Sequence, residues 1–340
     1  MDATSSDDQA ADPRTADSGP SIGRTPRGQL SSSAGPGRTP HPLGRRVLLT
    51  GWFSVPDGEI TAGDLLARDA AVADLVALGE DFDVAMTRTF APVDRASVDL
   101  ERVDPSRYDV VLWVCGPARG RQLQRVADRF PRARLVGVDV SVVDGLAPLH
   151  AALARDGDGE PRPDTSLLVP VPAVPVVGLC AAHAQHEYGD RQRHDVVHDV
   201  VLPALASAPG PGGPPAVVPF DTRLATGEPH VPSSAAQVEA LVRRFDVVVS
   251  SRLHGVVLAL KNGVPVVALD PVEGGAKVAA QGRALGWPVL LPHEVTTERV
   301  QEQLAWALGD EAREAARAVL PSAQRALADS STLLAALLRV

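Results

Sequence analysis

The stretch Phe245–Asp270, FDVVVSSRLHGVVLALKNGVPVVALD, decides the fold of the region around it. An apolar run over residues 246–250 predicts a strand, and a helix from about His254 to Leu260 is expected to follow it directly. Asn262-Gly263 then ends that helix before a second strand over residues 264–269. A strand, a helix and a strand in this order predict a parallel βαβ unit.

The turn between this strand and helix carries groups that suit an anion. Backbone N–H groups at a helix start, together with the helix dipole, favour a negative charge there. Arg252 adds a planar fork for a carboxylate or phosphate, and His254 adds a titratable donor. The structural alternatives are a Ser251 helix cap, a surface ion pair at Arg252 and a first-turn role for His254. Their combination at one turn favours a functional site.

The same alternation of strands and helices extends through most of the chain. Towards the amino terminus it predicts strands over residues 47–51, 82–86, 108–115 and 134–138 and helices over 62–78 and 122–130. Around the central stretch it predicts strands over 174–180 and 216–220 and helices over 193–206, 234–244, 297–308, 311–320 and 322–338. This pattern predicts an α/β fold with two Rossmann-like domains, each with a parallel sheet, in a GT-B-like arrangement that binds ligands at strand carboxyl ends.

The predicted domains are residues 44–165, expected to be the acceptor side, and residues 166–340, expected to be the donor side and to include the C-terminal helices. Residues 1–43 are rich in Ser, Gly and Pro with hardly any large apolar side chain, which predicts a disordered tail. The boundary lies in the Pro-rich and acidic stretch from Asp156 to Pro175.

Composition limits the classes of function. Hydrophobic residues make up 44% of the chain, enough for a packed core, and the net charge of −9 argues against nucleic-acid binding. No apolar run approaches the ~20 residues that cross a bilayer, and the first residues do not resemble a secretory signal. The expected location is therefore cytoplasmic, while the oligomeric state is left open.

Cys115 and Cys180 end apolar runs and are predicted to be buried thiols.

Lysine is rare in this chain. Of 33 basic residues, only Lys261 and Lys277 are lysines, so each marks a position where a compact charge could be needed. Lys261 can instead balance the carboxyl end of its helix. Lys277 follows Gly274-Gly275 in a loop that could approach an anion closely, which makes it the better candidate for a binding residue.

The central motif resembles a known family. Ser251-Arg252-Leu253-His254-Gly255, followed by Gly263-Val264-Pro265, resembles the C-terminal signature of polysaccharide pyruvyl transferases. This resemblance implies transfer of a carboxyethylidene group from phosphoenolpyruvate to a sugar or lipid-linked glycan. No organic cofactor is required, and the sequence gives no firm metal site. It implies that His254 is catalytic. It also implies that the donor is bound by Ser251, Arg252, Leu253, Gly255, Gly274, Gly275 and Lys277.

A second segment resembles the start of the same family. Gly51-Trp52-Phe53 followed by Thr61-Ala62-Gly63-Asp64 is similar to its first strand, loop and helix, although Thr61 stands where the family has Asn. The resemblance implies a catalytic role for Asp64, assisting a sugar hydroxyl. The alternative is an Asp that stabilises the start of its helix.

Two polar clusters complete the candidate site. The segment from His183 to Asp190 could hold a metal, but its spacing matches no known motif, and it is predicted to be a substrate-facing loop with His186 and Glu187 as contacts. Arg223 either meets an anion or forms a surface ion pair. For the whole protein, two alternatives stay open: a GT-B glycosyltransferase that uses a nucleotide sugar, and a non-catalytic carbohydrate-binding relative.

Overall fold

The computed structural model describes residues 45–54, 60–87, 97–157, 159–225, 227–228 and 231–339. Contacts divide the chain into two compact units, Met1–Val169 and Pro170–Val340. The predicted tail over residues 1–43 lies outside the described residues.

The first unit is a parallel sheet covered on both faces. Its strands and helices are β1 (Arg46–Gly51), α1 (Ala62–Leu78), β2 (Asp81–Met86), β3 (Val98–Asp99), β4 (Val110–Val114), α2 (Arg121–Arg129), β5 (Arg134–Val142) and β6 (Ala151–Gly157). The strand order is β3-β2-β1-β4-β5-β6, and each pairing is parallel. Leu49 packs in the core on the α1 side, whereas Leu48 and Trp113 pack with α2. Successive β1 residues therefore face opposite helical layers.

The start of α1 shows how local chemistry fixes a helix boundary. Thr61 caps the helix, and its side chain accepts from the N–H of Asp64 while the Asp64 carboxylate accepts from the N–H of Thr61. Gly79 ends the helix with a φ of 70°, which a residue with a Cβ adopts only at a cost. The predicted helix over residues 62–78 is confirmed.

The second unit repeats the architecture with more helices. It contains β7 (Val176–Cys180), α3 (His194–Ala206), β8 (Ala216–Pro219), α4 (Ala235–Val242), β9 (Val247–Ser250), α5 (Leu253–Lys261), β10 (Val266–Leu269), α6 (Lys277–Leu285), β11 (Val289–Leu290), α7 (Thr297–Ala307), α8 (Asp310–Ala326) and α9 (Ser330–Leu337). The strand order is β11-β10-β9-β7-β8, again parallel. Every residue of β9 and β10 is buried, as in a sheet with helices on both faces. The α/β class with parallel sheets is confirmed.

The last helices differ from the prediction. A break at Pro321 was expected, with helices over 311–320 and 322–338, but α8 continues through this proline and the break lies between Ala326 and Ser330. A proline removes one helical hydrogen bond. Pro321 is exposed, so water can replace the lost partner and the helix persists.

Two further expectations concern the thiols and the helices. Cys115 and Cys180 are both buried and unpaired, which confirms the predicted free thiols. Burial raises the pKa of Cys180 to about 11 and that of Cys115 to about 12. Within the described part of the chain, no helix combines the length and the apolar character that crossing a bilayer requires.

Candidate functional site

The candidate residues of the second unit lie on four loops at one edge of its sheet. These loops follow β7, β8, β9 and β10, and the carboxyl ends of parallel strands share one edge. From β7 the chain passes first to β8 on one side and then to β9 on the other. Open α/β sheets bind ligands where strand order diverges in this way. The Ser251-Arg252 turn lies at this point.

Arg252 is held by a carboxylate from the neighbouring loop. It is the N-cap residue of α5, and its Nε lies 3.1 Å from Asp221 Oδ1, beyond the end of β8. This contact is an ion pair without good hydrogen-bond geometry, since the buried Nε has no hydrogen-bond partner. The Arg252 side chain is 25% exposed. Its position is therefore set by Asp221 while part of the guanidinium faces solvent.

Asp221 also binds Arg223. The Nε of Arg223 donates to Asp221 Oδ2 at 2.8 Å, and the Arg223 side chain is 75% exposed. Burial acts to raise the pKa of Asp221, but hydrogen bonds from Arg223 and the charges of both arginines outweigh it, so the pKa is lowered. The geometry of Arg223 corresponds to the surface ion pair that the sequence left as one alternative.

Ser251 and Gly255 shape the turn. The Ser251 hydroxyl accepts from the N–H of Ala182 at 2.9 Å, and the N–H of Ser251 donates to the carbonyl of Cys180 at 3.1 Å. A Cβ at Gly255 would lie 2.2 Å from Ser250 Oγ, so only glycine fits there. Both residues therefore have structural roles that explain their identity, and donor contact by either stays a prediction.

His254 and Leu253 form the start of α5. Leu253 is the first helical residue and is half-buried, whereas His254 is exposed. Among the described residues, none hydrogen-bonds to the His254 imidazole. The backbone N–H groups of this first turn have no partner within the helix. The turn thus offers several donors to an anion.

Lys277 meets the polar loop that follows β7. It is the first residue of α6, and its Nζ lies 3.3 Å from Glu187 Oε1 and 5.6 Å from the centre of the Tyr188 ring. His186 and Glu187 are exposed and begin a 3₁₀ segment, His186–Arg191. The N–H of Glu273 donates to the carbonyl of Arg191 at 2.8 Å. The structure therefore brings the predicted loop residues and Lys277 together.

Asp270 has a role that its sequence context did not predict. This carboxylate is 1% exposed, and its Oδ2 accepts from the N–H groups of Ala276 at 2.7 Å and Ala279 at 2.8 Å. It therefore caps α6 across the loop containing Gly274 and Gly275, whose φ angles are 75° and 80°. The signal was an Asp at the end of a buried strand, directly before a Gly-Gly loop.

Two other candidates have structural partners. Lys261 forms an ion pair with Glu239, at the carboxyl end of α5. In the first unit, Asp64 Oδ2 accepts from the N–H of Thr61 at 3.0 Å and from its hydroxyl at 2.7 Å. Asp64 thus completes the capping box of α1, which is the structural alternative for this residue, and its catalytic role stays a prediction.

Neither a metal centre nor a large cavity singles out this edge. No three or more His, Cys, Asp or Glu side chains among the described residues are grouped to hold a metal ion. A cavity of about 820 Å³ in the second unit is lined by residues between Ala225 and Arg244, and not by Arg252 or His254. We locate the site by its chemistry, because two loops at this edge carry the cations Arg252 and Lys277 and α5 begins here with free N–H donors.

The comparisons with known proteins identify the same segment. Residues 228–271 match the family model for polysaccharide pyruvyl transferase, which confirms the resemblance carried by Ser251–Gly255 and Gly263–Pro265. The match covers β9, α5 and β10 with the Arg-His turn, and it supports a transferase. No curated protein matches the chain significantly.

Three of the solved structures that match this chain have low sequence identity and low TM-scores. The spinosyn forosaminyltransferase SpnP has 15% identity, with 82% of this chain and 94% of that chain covered and a TM-score of 0.29. The spinosyn rhamnosyltransferase SpnG has 13% identity, with 82% of this chain and 95% of that chain covered and a TM-score of 0.30. MurG from Acinetobacter baumannii has 11% identity, with 83% of this chain and 95% of that chain covered and a TM-score of 0.28.

Proposed function

We propose that the second unit binds phosphoenolpyruvate and that the protein transfers its carboxyethylidene group to two hydroxyls of a sugar. The observation that carries this proposal is the family match over the Arg252-His254 turn at the carboxyl edge of the second sheet. Phosphoenolpyruvate presents a carboxylate and a phosphate. The Arg252 guanidinium, the N–H groups that start α5 and the Lys277 ammonium are suited to these two anions.

The reaction requires one proton transfer to carbon, the loss of two hydroxyl protons and two attacks of hydroxyl oxygen on carbon. His254 protonates the methylene carbon, which becomes the methyl group and leaves positive charge on the adjacent carbon. One sugar hydroxyl attacks that carbon, the bond to the phosphate oxygen breaks, and the second hydroxyl attacks to close the cyclic ketal. The two hydroxyl protons balance the proton given to carbon and the one carried by the released phosphate.

Calorimetric titration of the full chain tests the donor. We expect phosphoenolpyruvate to bind more tightly than pyruvate or inorganic phosphate, because only the donor offers both anions to the site. UDP-glucose, titrated in parallel, tests a nucleotide-sugar donor. Binding of UDP-glucose without binding of phosphoenolpyruvate would overturn the proposal in favour of a glycosyltransferase. Phosphate release from phosphoenolpyruvate across a panel of sugars then separates an enzyme from a non-catalytic binding protein.

A further inference from the structure

The first unit contains a cavity of about 610 Å³ at the carboxyl ends of β1 to β4, beside α2. Its lining includes Ser54, Thr87, Trp113, Arg125 and Arg129. Ligand cavities for small molecules span about 300–1,000 Å³. The cavity lies where β1 and β4 diverge in strand order, which is the ligand-binding point of open parallel sheets.

Buried polar atoms without hydrogen-bond partners are concentrated at this cavity. Across the described residues of the first unit they are Thr50 Oγ1, Thr87 Oγ1, Trp113 Nε1 and Arg129 Nε. Thr87 and Trp113 line the cavity while being only 3% and 1% exposed, and Thr50 pairs in register with Trp113. A buried donor without an acceptor destabilises a fold. Three of these four atoms belong to residues that line the cavity, and together they indicate a bound partner that supplies acceptors.

Arg129 gives the cavity a positioned cation. Its Nη2 donates to the carbonyls of Glu101 and Val103, both at 2.8 Å. No carboxylate among the described residues forms an ion pair with it, so its charge is held in place by neutral acceptors. A guanidinium oriented in this way suits an oxyanion. The neighbouring Arg125 lies 3.9 Å from a carboxylate oxygen of Glu101.

We propose that this cavity binds a small sugar that carries a carboxylate or a phosphate. Arg129 binds the oxyanion, while the Thr87 hydroxyl and the Trp113 N–H donate to ligand oxygens. The polar atoms of Thr87 and Trp113 are shielded from water, so ligand contact includes a small movement of both side chains. The exposed Glu101 carboxylate accepts from a sugar hydroxyl at the rim. This proposal does not rest on pyruvyl transfer in the second unit.

Indole N–H signals in NMR spectra of the full chain, labelled with ¹⁵N-tryptophan, report on the cavity directly. The chain has four tryptophans, and the Trp113 signal is assigned by its loss in Trp113→Phe. We expect glucuronate or glucose 1-phosphate to shift the Trp113 signal saturably, and glucose to do so at least about 10-fold more weakly because it lacks the anion. The two anionic sugars distinguish a carboxylate from a phosphate ligand. Trp287, whose Nε1 donates to the Val266 carbonyl at 2.8 Å, is the internal control and keeps its position.

Two variants separate binding from folding. Arg129→Gln and Thr87→Val should each weaken the anionic sugar by about 10-fold or more. Thr87→Val should also keep or raise the melting temperature, because valine fills a similar volume and removes an unpartnered hydroxyl. Three outcomes would each overturn the proposal. The Trp113 signal does not shift with either anionic sugar, it responds equally to glucose, or folded Thr87→Val binds the anionic sugar with unchanged affinity.

Discussion

Asp221 contacts one edge of the Arg252 guanidinium. Asp221 lies 3.1 Å from Nε, which leaves the terminal amino groups as the side that meets a ligand. We predict that Arg252→Lys weakens phosphoenolpyruvate binding by about 10-fold, because an ammonium cannot contact Asp221 and form a two-pronged contact with a carboxylate together. Calorimetry measures the effect. Arg223→Lys is the matched control and should leave the affinity within about 2-fold, since Arg223 is largely exposed. Equal losses in the two variants would contradict this role.

His254 is the candidate proton donor at the same turn. His254→Gln keeps a side-chain N–H group, so we predict that donor affinity is largely retained while kcat falls by about 100-fold or more. Single-turnover kinetics with phosphoenolpyruvate and an accepted sugar separate the two effects. Loss of affinity with little loss of turnover would instead make His254 a binding residue.

Asp221 gives the site a predictable response to acid. Its pKa is lowered in the folded protein, so its contribution to stability is present above the unfolded value of about 3.9 and is lost as pH falls through the folded value. We predict that Asp221→Asn lowers the free energy of unfolding by about 1 kcal/mol at pH 7. That deficit should shrink below about pH 4, where Asp221 of the unfolded wild-type chain takes up a proton, and disappear once pH falls through the lower folded value.

Urea unfolding of both proteins at pH 7 and pH 3 measures this change. Glu302→Gln, which removes an exposed pair with Arg299, is the control and should have little effect at either pH. A deficit in Asp221→Asn that is the same at both values would show that the Asp221 charge is not its cause.

At the scale of elements, the packing of α5 against β9 depends on a missing side chain. We predict that Gly255→Ala destabilises the protein by about 1–3 kcal/mol, because the added methyl would overlap Ser250 Oγ. Gly63→Ala near the start of α1 is the control. A Cβ there meets only Thr61 Oγ1 at 3.7 Å, and alanine should be neutral or stabilising by up to about 1 kcal/mol. Equal unfolding midpoints for the two variants would disprove the packing argument.

Elements with strong local signals were predictable from the sequence. β9, α5 and β10 have apolar strands, a helical spacing and a glycine stop, and the structure has them within about two residues of the prediction. β6 was missed because AALARDG lacks the β-branched and aromatic residues typical of strands. Its strand conformation comes from pairing with β5, which is a tertiary effect.

The candidate site was predictable in its residue types but not in its pairings. Arg252, His254 and Lys277 could be selected from one turn and one glycine loop. The contacts of Arg252 with Asp221 and of Lys277 with Glu187 join loops from different strands. These contacts depend on strand order, and β7 lies between β9 and β8 although it precedes both in the chain. Local sequence patterns do not encode that order.

At the scale of the whole molecule, each unit has its own buried core. The first is built around Leu48, Leu49 and Trp113, and the second around Val248, Val249 and Leu269. We predict that phosphoenolpyruvate slows hydrogen exchange over residues 180–193, 250–262 and 270–280, because a bound ligand stabilises the loops that contact it. Mass spectrometry of the full chain measures the exchange. Protection confined to peptides before residue 170 would place the donor in the first unit and contradict the prediction.

Ser251 joins the loops that follow β7 and β9, and its hydrogen-bond partner Ala182 lies 69 residues before it in the chain. Its hydroxyl accepts from Ala182 and its N–H donates to Cys180, so the ends of β7 and β9 are fastened at two points. A displacement of either loop must therefore carry the other with it. If one ligand changes the position of the β7 loop, the affinity for a second ligand at Arg252 changes. By thermodynamic linkage, binding of the second ligand then changes the affinity for the first by the same factor.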